Sequence, residues 1–464
     1  MAKITFLGAA GTVTGSRHLL DIDDKRYLID CGLFQGSKEH RLKNWDVFPV
    51  TPSSIDRVFL THAHIDHAGY LPRLVKSGFS GTVNCTPPTK ALSNILLRDS
   101  AHLQEEDAKW ANKKGFSKHK PARPLFVEED VDKTMGLFKS VDYGEEFDLD
   151  ETTRLMFHDA GHLLGSSFVG VQTHKEGRRR KILFSGDIGR SGRPLLHDPV
   201  QVYNVDYLVL ESTYGNRMHA KESPVDELIR VVYESRERGG VLLIPAFSIG
   251  RTQAILYVLR ELEEQGKIPS MPVYVDSPMA ISAVDVFEQY ISDLDFESKM
   301  AVLDGKRIIR PEQLHLVKSR VKSKEINDIQ GNAIIISASG MAVGGRILHH
   351  LFHRLPNPKN TVLIIGYQAM GTRGRSILEG EEKIKIHGQY VEVKAKVESI
   401  TGFSGHADYK EIMAWLMGLH RPPEKVFLVH GEPDAQQYMA AELKKHFKWD
   451  AIIPKEGESF ELDM

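Results

Sequence analysis

The stretch from Thr61 to His67 reads Thr-His-Ala-His-Ile-Asp-His and carries three imidazoles and one carboxylate. Imidazole nitrogens and carboxylate oxygens are ligands suited to zinc, and no cysteine lies near enough in the sequence to close the site with thiolates. In an extended turn, His62 and His64 would point to one side, whereas the adjacent Asp66 and His67 could turn towards a second point. The spacing therefore indicates two metal positions. The alternative, a turn of satisfied polar side chains, is disfavoured because so many metal-binding side chains fall together.

The elements around this stretch are predicted to hold it at the end of a strand. Arg57–Thr61 is apolar and β-branched, so the histidines lie on a loop at the carboxyl end of a strand, and Tyr70–Val75 predicts a short helix after the loop. Asp30 ends another predicted strand, where its carboxylate could brace the histidine loop by hydrogen bonds. On local grounds, an aspartate that merely initiates a turn is an equally good interpretation.

Length and composition limit the class of protein. The 464 residues leave room for two or three domains, or for one large fold with an insertion. With 60 basic and 62 acidic residues, the formal net charge is −2, so any nucleic-acid site must be a local basic patch. Only Cys31 and Cys85 occur, which supports no disulfide framework and favours a reducing compartment. The start of the chain is too weakly apolar for a secretory signal, so we expect a soluble, cytoplasmic protein.

Further candidate ligands share one setting, beside a glycine at the end of a predicted strand. They are His162, Asp187, His406 and His430. His162 could complete one of the two metal positions, and Asp187 could bridge both cations with its two oxygens. His349 and His350 lie instead within a predicted helix with no companion acid in the sequence around them, and we interpret them as structural.

The chain changes character after about residue 216, where helical and strand-like segments alternate. Helices are predicted over 224–238 and 252–265, and strands over 241–244, 273–275, 333–336 and 362–365. This alternation is typical of parallel β-α units, which bind ligands beyond the carboxyl ends of their strands, where helix N-termini favour anions. We predict that a phosphodiester chain is bound there by Arg251, Ser339, Gly340, Arg373, Gly374, Arg375 and Ser404.

The ordered set of polar residues resembles the motifs of the metallo-β-lactamase superfamily and, within it, of the β-CASP nucleases. The set comprises His62-x-His64-x-Asp66-His67, His162, Asp187, Glu211, His406 and His430. The nearest likeness is to RNA endonucleases of the cleavage-and-polyadenylation-factor type, in a compact form. The resemblance implies an α/β fold in which residues 1–210 and 391–464 form an αββα metallo-β-lactamase sandwich. Residues 211–390 would be an inserted parallel-sheet β-CASP domain that caps the metal cleft.

The resemblance also implies a role for each polar residue. One zinc ion would be held by His62, His64 and His162, and the other by Asp66, His67 and His430, with Asp187 between them and Asp30 bracing the loop. His406 would be a general acid oriented by Glu211, so that Asp66, Glu211 and His406 are the predicted catalytic residues. Relatives that act on DNA typically lack a histidine at the position of His430, which favours RNA as the substrate.

The function implied is a zinc-dependent ribonuclease that acts on single-stranded RNA. A hydroxide shared by two zinc ions would attack the phosphodiester, and His406 would protonate the leaving oxygen, giving a 5′-phosphate and a 3′-hydroxyl. Endonuclease activity is expected, with 5′-to-3′ exonuclease activity, a homodimer and manganese in place of zinc left open. The alternatives are a DNA nuclease, a small-molecule hydrolase of the same superfamily, and a non-catalytic subunit of an RNA-processing complex.

Overall fold

The computed structural model describes residues 2–115, 119–219, 223–366, 368 and 370–464. Its strands are β1 (Ala2–Phe6), β2 (His18–Ile22), β3 (Lys25–Ile29), β4 (Arg57–Phe59), β5 (Thr82–Cys85), β6 (Phe138–Ser140), β7 (Phe147–Asp148), β8 (Thr153–Asp159), β9 (Ser167–Lys175), β10 (Arg178–Phe184), β11 (Tyr207–Glu211), β12 (Val241–Pro245), β13 (Val273–Asp276), β14 (Leu314–Leu316), β15 (Ala333–Ser337), β16 (Thr361–Ile365), β17 (Lys383–Ile386), β18 (Gln389–Glu392), β19 (Lys396–Ile400), β20 (Lys425–Val429), β21 (Ala451–Ile452) and β22 (Ser459–Leu462). Its helices are α1 (Lys38–Leu42), α2 (Ile65–Ala68), α3 (Leu71–Lys76), α4 (Pro87–Lys114), α5 (Glu128–Met135), α6 (Pro224–Glu237), α7 (Arg251–Glu264), α8 (Pro278–Gln289), α9 (Phe296–Leu303), α10 (Arg320–Glu325), α11 (Ile347–Arg354), α12 (Arg373–Leu378), α13 (Tyr409–Met417) and α14 (Pro433–Phe447).

The chain divides into two compact units. Unit 1 comprises Met1–Gly192, His197–Met218 and His406–Met464, and unit 2 comprises Arg193–Leu196 and His219–Gly405. No helix within the described ranges combines the length and apolarity needed to cross a lipid bilayer.

Unit 1 contains two sheets whose apolar faces form one core. The first has the strand order β22-β1-β2-β3-β4-β5-β6, and the second has the order β21-β20-β11-β10-β9-β8-β7. The core takes side chains from both sheets, including Phe6 and Phe59 of the first and Phe157 and Phe184 of the second. Helices α13 and α14 cover the other face of the second sheet with apolar side chains such as Leu416. This is the packing of an αββα sandwich, which confirms the predicted fold class.

The strand directions bring the candidate residues to the strand ends. Strands β3, β4 and β5 are parallel, as are β10, β11 and β20. Carboxyl ends of parallel strands meet at the same edge of a sheet, which is where open sheets bind ligands. Asp30 follows β3 and the histidine run follows β4, whereas Asp187 follows β10 and His430 follows β20. Glu211 is the last residue of β11.

Two local predictions in unit 1 were wrong. The end of the histidine run is not an extended turn, because Ile65–Ala68 forms a single helical turn in which the Gly69 amide donates to the Ile65 carbonyl. His406 does not end a strand. It lies in a loop that forms an isolated bridge with Gly189, and the neighbouring Ala407 amide donates to the Ile188 carbonyl at 2.8 Å.

Unit 2 contains the predicted parallel β-α arrangement. Its main sheet has the order β14-β13-β15-β12-β16-β19, and every pairing in it is parallel. The central strands are buried along their whole length, as in Val241–Pro245 and Ala333–Ser337. Parallel strands covered on both faces read as continuous apolar runs, which explains why the sequence pattern identified them.

Candidate metal centre

Asp30 lies at the base of the histidine run in unit 1. Its Oδ1 accepts a hydrogen bond from the Thr61 amide at 2.8 Å, and its Oδ2 lies 2.7 Å from His67 Nδ1. A carboxylate that accepts from Nδ1 fixes the imidazole tautomer and directs Nε2 away from it. The structure therefore favours the bracing interpretation of Asp30 over that of a simple turn residue.

The first group of candidate ligands comprises His62, His64, His162 and Asp187. His64 Nδ1 lies 3.0 Å from His62 Nε2 and 3.3 Å from His162 Nε2. Asp187 Oδ2 lies 3.3 Å from His62 Nε2 and 3.4 Å from His162 Nε2. One ligand atom from each of the four residues falls within 4.8 Å of all the others, so the group could hold a metal ion.

The second group comprises Asp66, His67 and His430. His430 Nε2 lies 3.2 Å from His67 Nε2 and 3.5 Å from Asp66 Oδ2. Asp187 Oδ1 faces this group, at 3.3 Å from His67 Nε2 and 3.4 Å from His430 Nδ1. The two oxygens of Asp187 therefore face different groups, which is the geometry of a bridging carboxylate. Asp187 and His430 also lie within 4.8 Å of a carboxylate oxygen of Glu211, which could contribute to the same centre.

The chemistry of these donors fits a divalent cation. Two imidazole nitrogens that face each other can share only one proton, so a cluster of facing nitrogens is not satisfied by hydrogen bonds alone. Asp187 Oδ1 and His162 Nδ1 are buried and form no hydrogen bond with any residue that the structure describes. Imidazole and carboxylate together match the preferences of zinc.

The electrostatics keep the side chains of the first group in the protonation states that bind metals. Burial lowers the pKa of His62 and, together with the neighbouring imidazole, lowers that of His64 to about 3. Burial also lowers the pKa of His162 well below its usual value. For the Asp187 carboxyl, burial raises the pKa, but the surrounding imidazoles outweigh burial and hold the pKa well below the usual range. Neutral imidazoles and an ionised carboxylate are the forms that coordinate a metal. In the second group, burial would lower the pKa of His67, but the Asp187 and Asp30 carboxylates raise it well above its usual value.

Glu211 and His406 form a pair beside the first group. The Glu211 side chain is fully buried, and its Oε1 accepts a hydrogen bond from the Ile188 amide at 2.5 Å. His406 Nδ1 lies 3.2 Å from Glu211 Oε2 and 3.8 Å from Asp187 Oδ2. Burial alone would lower the pKa of His406, but the Glu211 and Asp187 carboxylates raise it to about 9. The pair can therefore hold and deliver a proton.

Two threonines outside the predicted set of site residues orient the candidate ligands. Thr61 Oγ1 lies 2.9 Å from Asp30 Oδ2 and 3.0 Å from His62 Nδ1. Thr213 Oγ1 lies 3.0 Å from His430 Nδ1. Thr61 opens the histidine run, so its position was a usable signal. Nothing in the sequence links Thr213 to His430, because they meet only through the pairing of β11 with β20.

The residues predicted to bind a phosphodiester chain lie in unit 2. Ser339 and Gly340 follow β15, and Arg251 begins α7 in the connection after β12. Ser339 Oγ accepts a hydrogen bond from the Val343 amide at 3.0 Å. Ser404, in the segment after β19, is buried. Most of these residues therefore lie after the carboxyl ends of strands, as expected for a ligand-binding edge.

The remaining predicted contacts, at the start of α12, already have partners within unit 2. Arg373 donates to the backbone carbonyls of Lys385 and Val343, and Arg375 pairs with Glu379 at 2.7 Å. A Cβ at Gly374 would lie 1.8 Å from a side-chain oxygen, so close packing accounts for that glycine. A role for these residues in binding a phosphodiester stays a prediction.

Three family profiles match successive parts of the chain. They are described as "Metallo-beta-lactamase superfamily" at residues 13–232, "Beta-Casp domain" at 252–377 and "Zn-dependent metallo-hydrolase RNA specificity domain" at 390–454. Among curated proteins, Ribonuclease TTHA0252 of Thermus thermophilus is 37% identical over 93% of this chain and 94% of its own length. Transcription termination factor FttA of Methanocaldococcus jannaschii is 32% identical over 97% of this chain and 70% of its own length.

A solved structure supports the fold. A protein of unknown function from Enterococcus faecalis V583 superposes with a TM-score of 0.55 over 99% of this chain and 100% of its own, at 14% sequence identity. The chain belongs to the metallo-β-lactamase superfamily of metal-dependent hydrolases. Within that superfamily it is a member of the β-CASP family of RNA nucleases, which confirms the resemblance found in the sequence.

Proposed function

We propose that this chain is a zinc-dependent ribonuclease that hydrolyses phosphodiester bonds of single-stranded RNA. The observation that carries the proposal is the position of Asp187, whose two oxygens face two separate groups of imidazole and carboxylate ligands. The family profile with RNA specificity and the ribonuclease from Thermus thermophilus support RNA as the substrate. His430, which relatives that act on DNA typically lack, supports the same choice.

The two groups would each hold one zinc ion. His62, His64 and His162 would bind the first ion, and Asp66 and His67 would bind the second. The second ion would also be bound by His430, and both ions would contact Asp187. A pair of divalent cations bound there would lower the pKa of a water molecule and neutralise charge on the phosphodiester.

The protein itself supplies the proton for the leaving oxygen. Because Glu211 accepts from Nδ1 of His406, the opposite nitrogen of the ring is the one that can carry the transferred proton. A leaving oxygen that takes this proton becomes the 3′-hydroxyl of one product, and the other product carries a 5′-phosphate. His406 is accordingly the proposed general acid, and Glu211 orients it and stabilises its charged form.

The domain boundaries also remain a proposal. We assign residues 1–210 and 391–464 to the metallo-β-lactamase domain and residues 211–390 to the β-CASP domain. The order of the three profile matches supports this organisation. Strand β19 (Lys396–Ile400) pairs with β16 in the main sheet of unit 2, which favours a last boundary after this strand rather than at residue 391.

A cytoplasmic location and a homodimer stay predictions. Cys31 and Cys85 are both buried and unpaired, which is consistent with a reducing compartment. Light scattering of the purified chain would measure its oligomeric state directly.

The test compares nucleic acids on the metal-loaded protein. Purified protein is analysed for metal content and incubated with end-labelled single-stranded RNA, with circular RNA of the same sequence and with matched single-stranded DNA. We expect two zinc ions per chain, cleavage of both RNAs and little cleavage of DNA, with cleavage of the circle demonstrating endonuclease activity. Removal of the metal by a chelator should stop cleavage, and added zinc should restore it.

The same assay can contradict the proposal. Equal cleavage of DNA would favour the DNA nuclease alternative, and failure to bind metal or cleave RNA would favour a non-catalytic subunit. His353→Ala provides a matched control, because His353 is an exposed histidine on α11 outside both candidate groups, and its loss should change neither metal content nor cleavage.

A further inference from the structure

The guanidinium of Arg17 is buried in unit 1 without an acidic partner. The residue is 3% exposed, and no carboxylate of the described residues lies within ion-pair distance of it. Aromatic rings surround it instead, with the centroids of Tyr70, Phe34 and Phe48 at 4.0, 4.8 and 5.6 Å from the guanidinium carbon. Burying a charge without an opposite charge is costly. The rings and hydrogen-bond acceptors that bind this guanidinium in place of a carboxylate therefore indicate what the residue does.

Two side-chain hydrogen bonds of Arg17 converge on one backbone carbonyl. Its Nε and Nη2 donate to the Gly32 oxygen at 3.0 and 2.7 Å, and Nη2 lies 3.5 Å from Asn44 Oδ1. Asn44 in turn accepts from the Phe34 amide at 2.9 Å and donates to the Phe34 carbonyl at 2.8 Å. Arg17, Gly32, Phe34 and Asn44, which we call the Arg17 clasp, thereby hold the segment after β3 in one conformation.

The segment held by the clasp binds the backbone of α2. The Cys31 amide donates to the His67 carbonyl at 2.7 Å, and the Leu33 amide donates to the Ile65 carbonyl at 3.0 Å. A Cβ at Gly32 would lie only 1.6 Å from the Asp66 carbonyl oxygen, so the two backbones are in direct contact. These contacts fix the helical turn that carries Asp66 and His67.

We propose that Arg17 is a positioning residue for the second group, Asp66, His67 and His430, and acts through the backbone of α2. The inference rests on the proposed function, because it requires that this group binds a cation. The bonds described above reach residues 65–67 and not the backbone of His62 or His64. Loss of the guanidinium should therefore weaken one cation site and spare the other.

The test measures the two zinc affinities separately. Wild-type protein, Arg17→Met and Arg17→Lys are equilibrated in buffers of graded free zinc, and bound zinc per chain is determined by mass spectrometry. Methionine keeps apolar contact with the three rings but loses the donors, whereas lysine keeps the charge and a single donor group. We expect one of the two zinc affinities to fall by about 10-fold or more in Arg17→Met while the other stays unchanged, with partial rescue in Arg17→Lys, as for other groups that orient metal ligands.

Arg180→Met provides the matched control. Arg180 lies at the opposite end of β10 from Asp187 and pairs with Asp206, Glu424 and Asp463, so its loss should lower the melting temperature. Both zinc affinities should stay at their wild-type values in this variant. A general loss of stability should therefore leave the ratio of the two zinc affinities unchanged.

The outcomes separate this inference from the function on which it rests. If wild-type protein binds two ions and Arg17→Met binds both with unchanged affinity, the positioning role is overturned while the proposed function stands. Equal weakening of both sites would also overturn it, because a selective effect is required. Wild-type protein that binds fewer than two ions would overturn the two-cation function and this inference together. If Arg17→Met does not fold, the affinity ratio in Arg17→Lys decides between the same outcomes.

Discussion

Each unit contains a buried carboxylate surrounded by histidine or arginine, but the two clusters are built differently. In unit 2, the Asp276 carboxylate accepts from Arg346 Nη1 at 2.7 Å, from His350 Nε2 at 2.7 Å and from Ser323 Oγ at 2.6 Å. In unit 1, Asp187 lies among imidazole nitrogens at 3.3 to 3.8 Å, and its Oδ1 accepts no hydrogen bond from the described residues.

The comparison shows that proximity of histidine and carboxylate does not by itself define a metal site. Around Asp276 the donors match the acceptors, so the cluster is satisfied by the protein alone and stabilises the fold. Around Asp187, hydrogen-bond acceptors of the carboxylate and the imidazoles face one another, and a bound cation would satisfy them. The two clusters should therefore respond to mutation in opposite ways.

The largest effect is expected for Asp187→Ala. Because each oxygen of Asp187 faces one of the two groups, its removal should lower zinc binding at both sites and abolish RNA cleavage. Metal analysis after dialysis and a cleavage assay on single-stranded RNA would measure both effects. Wild-type zinc content in this variant would contradict the bridging position.

His406→Ala should separate chemistry from metal binding. His406 is outside both ligand groups, so the variant should retain its zinc while kcat falls by about 10²- to 10⁴-fold, as for loss of a general acid. Single-turnover cleavage with metal analysis of the same sample checks the prediction. Retention of full activity would exclude His406 as the proton donor.

Asp276→Ala should produce the reverse of the Asp187→Ala result. Removing this carboxylate leaves the buried His350 without its acidic partner and takes the ion pair from the half-buried Arg346, so the free energy of unfolding should fall by about 3 to 5 kcal/mol. Zinc content should not change. Denaturant unfolding and metal analysis measure the two quantities, and a loss of zinc without a loss of stability would mean that the two clusters had been assigned the wrong way round.

The smallest effect is expected for Thr213→Val, which removes a hydroxyl and preserves the shape of the side chain. Thr213 Oγ1 lies 3.0 Å from His430 Nδ1, and loss of such an orienting hydrogen bond typically weakens metal binding by about 10-fold. Zinc titration of the variant would detect this change at one of the two sites. An unchanged pair of affinities would show that the backbone alone orients His430.

Sequence patterns predicted the larger elements well and the short ones poorly. Strands such as β12 and β15 are long apolar runs because both of their faces are buried, so their burial is visible in the residue types. The helical turn α2 was missed because four residues are too few to show a helical period or to form a helix unaided. It is held in place by the backbone of residues 31–33, which no local pattern reveals.

No local sequence pattern indicated the contacts between side chains that lie far apart along the chain. His350 has no acid near it in sequence, yet Asp276, 74 residues earlier, lies 2.7 Å from it. Asp30 could be interpreted equally well as a brace or as a turn residue until its contacts with Thr61 and His67 were seen. Such pairs depend on the order and register of the strands, and chains with the same local pattern could pair their strands in other ways.

Residue types and their spacing along the chain were enough to identify the family and the kind of donor that each candidate position offers, because coordination chemistry restricts which side chains can serve. Folding decided whether those donors meet. The two oxygens of Asp187 face different ligand groups only because β10 and β20 both end at the same edge of one sheet. The loop that follows β4 of the other sheet brings its histidines to the same place. Distances of a few ångströms between residues hundreds of positions apart are properties of packing, and packing is determined by the whole chain at once.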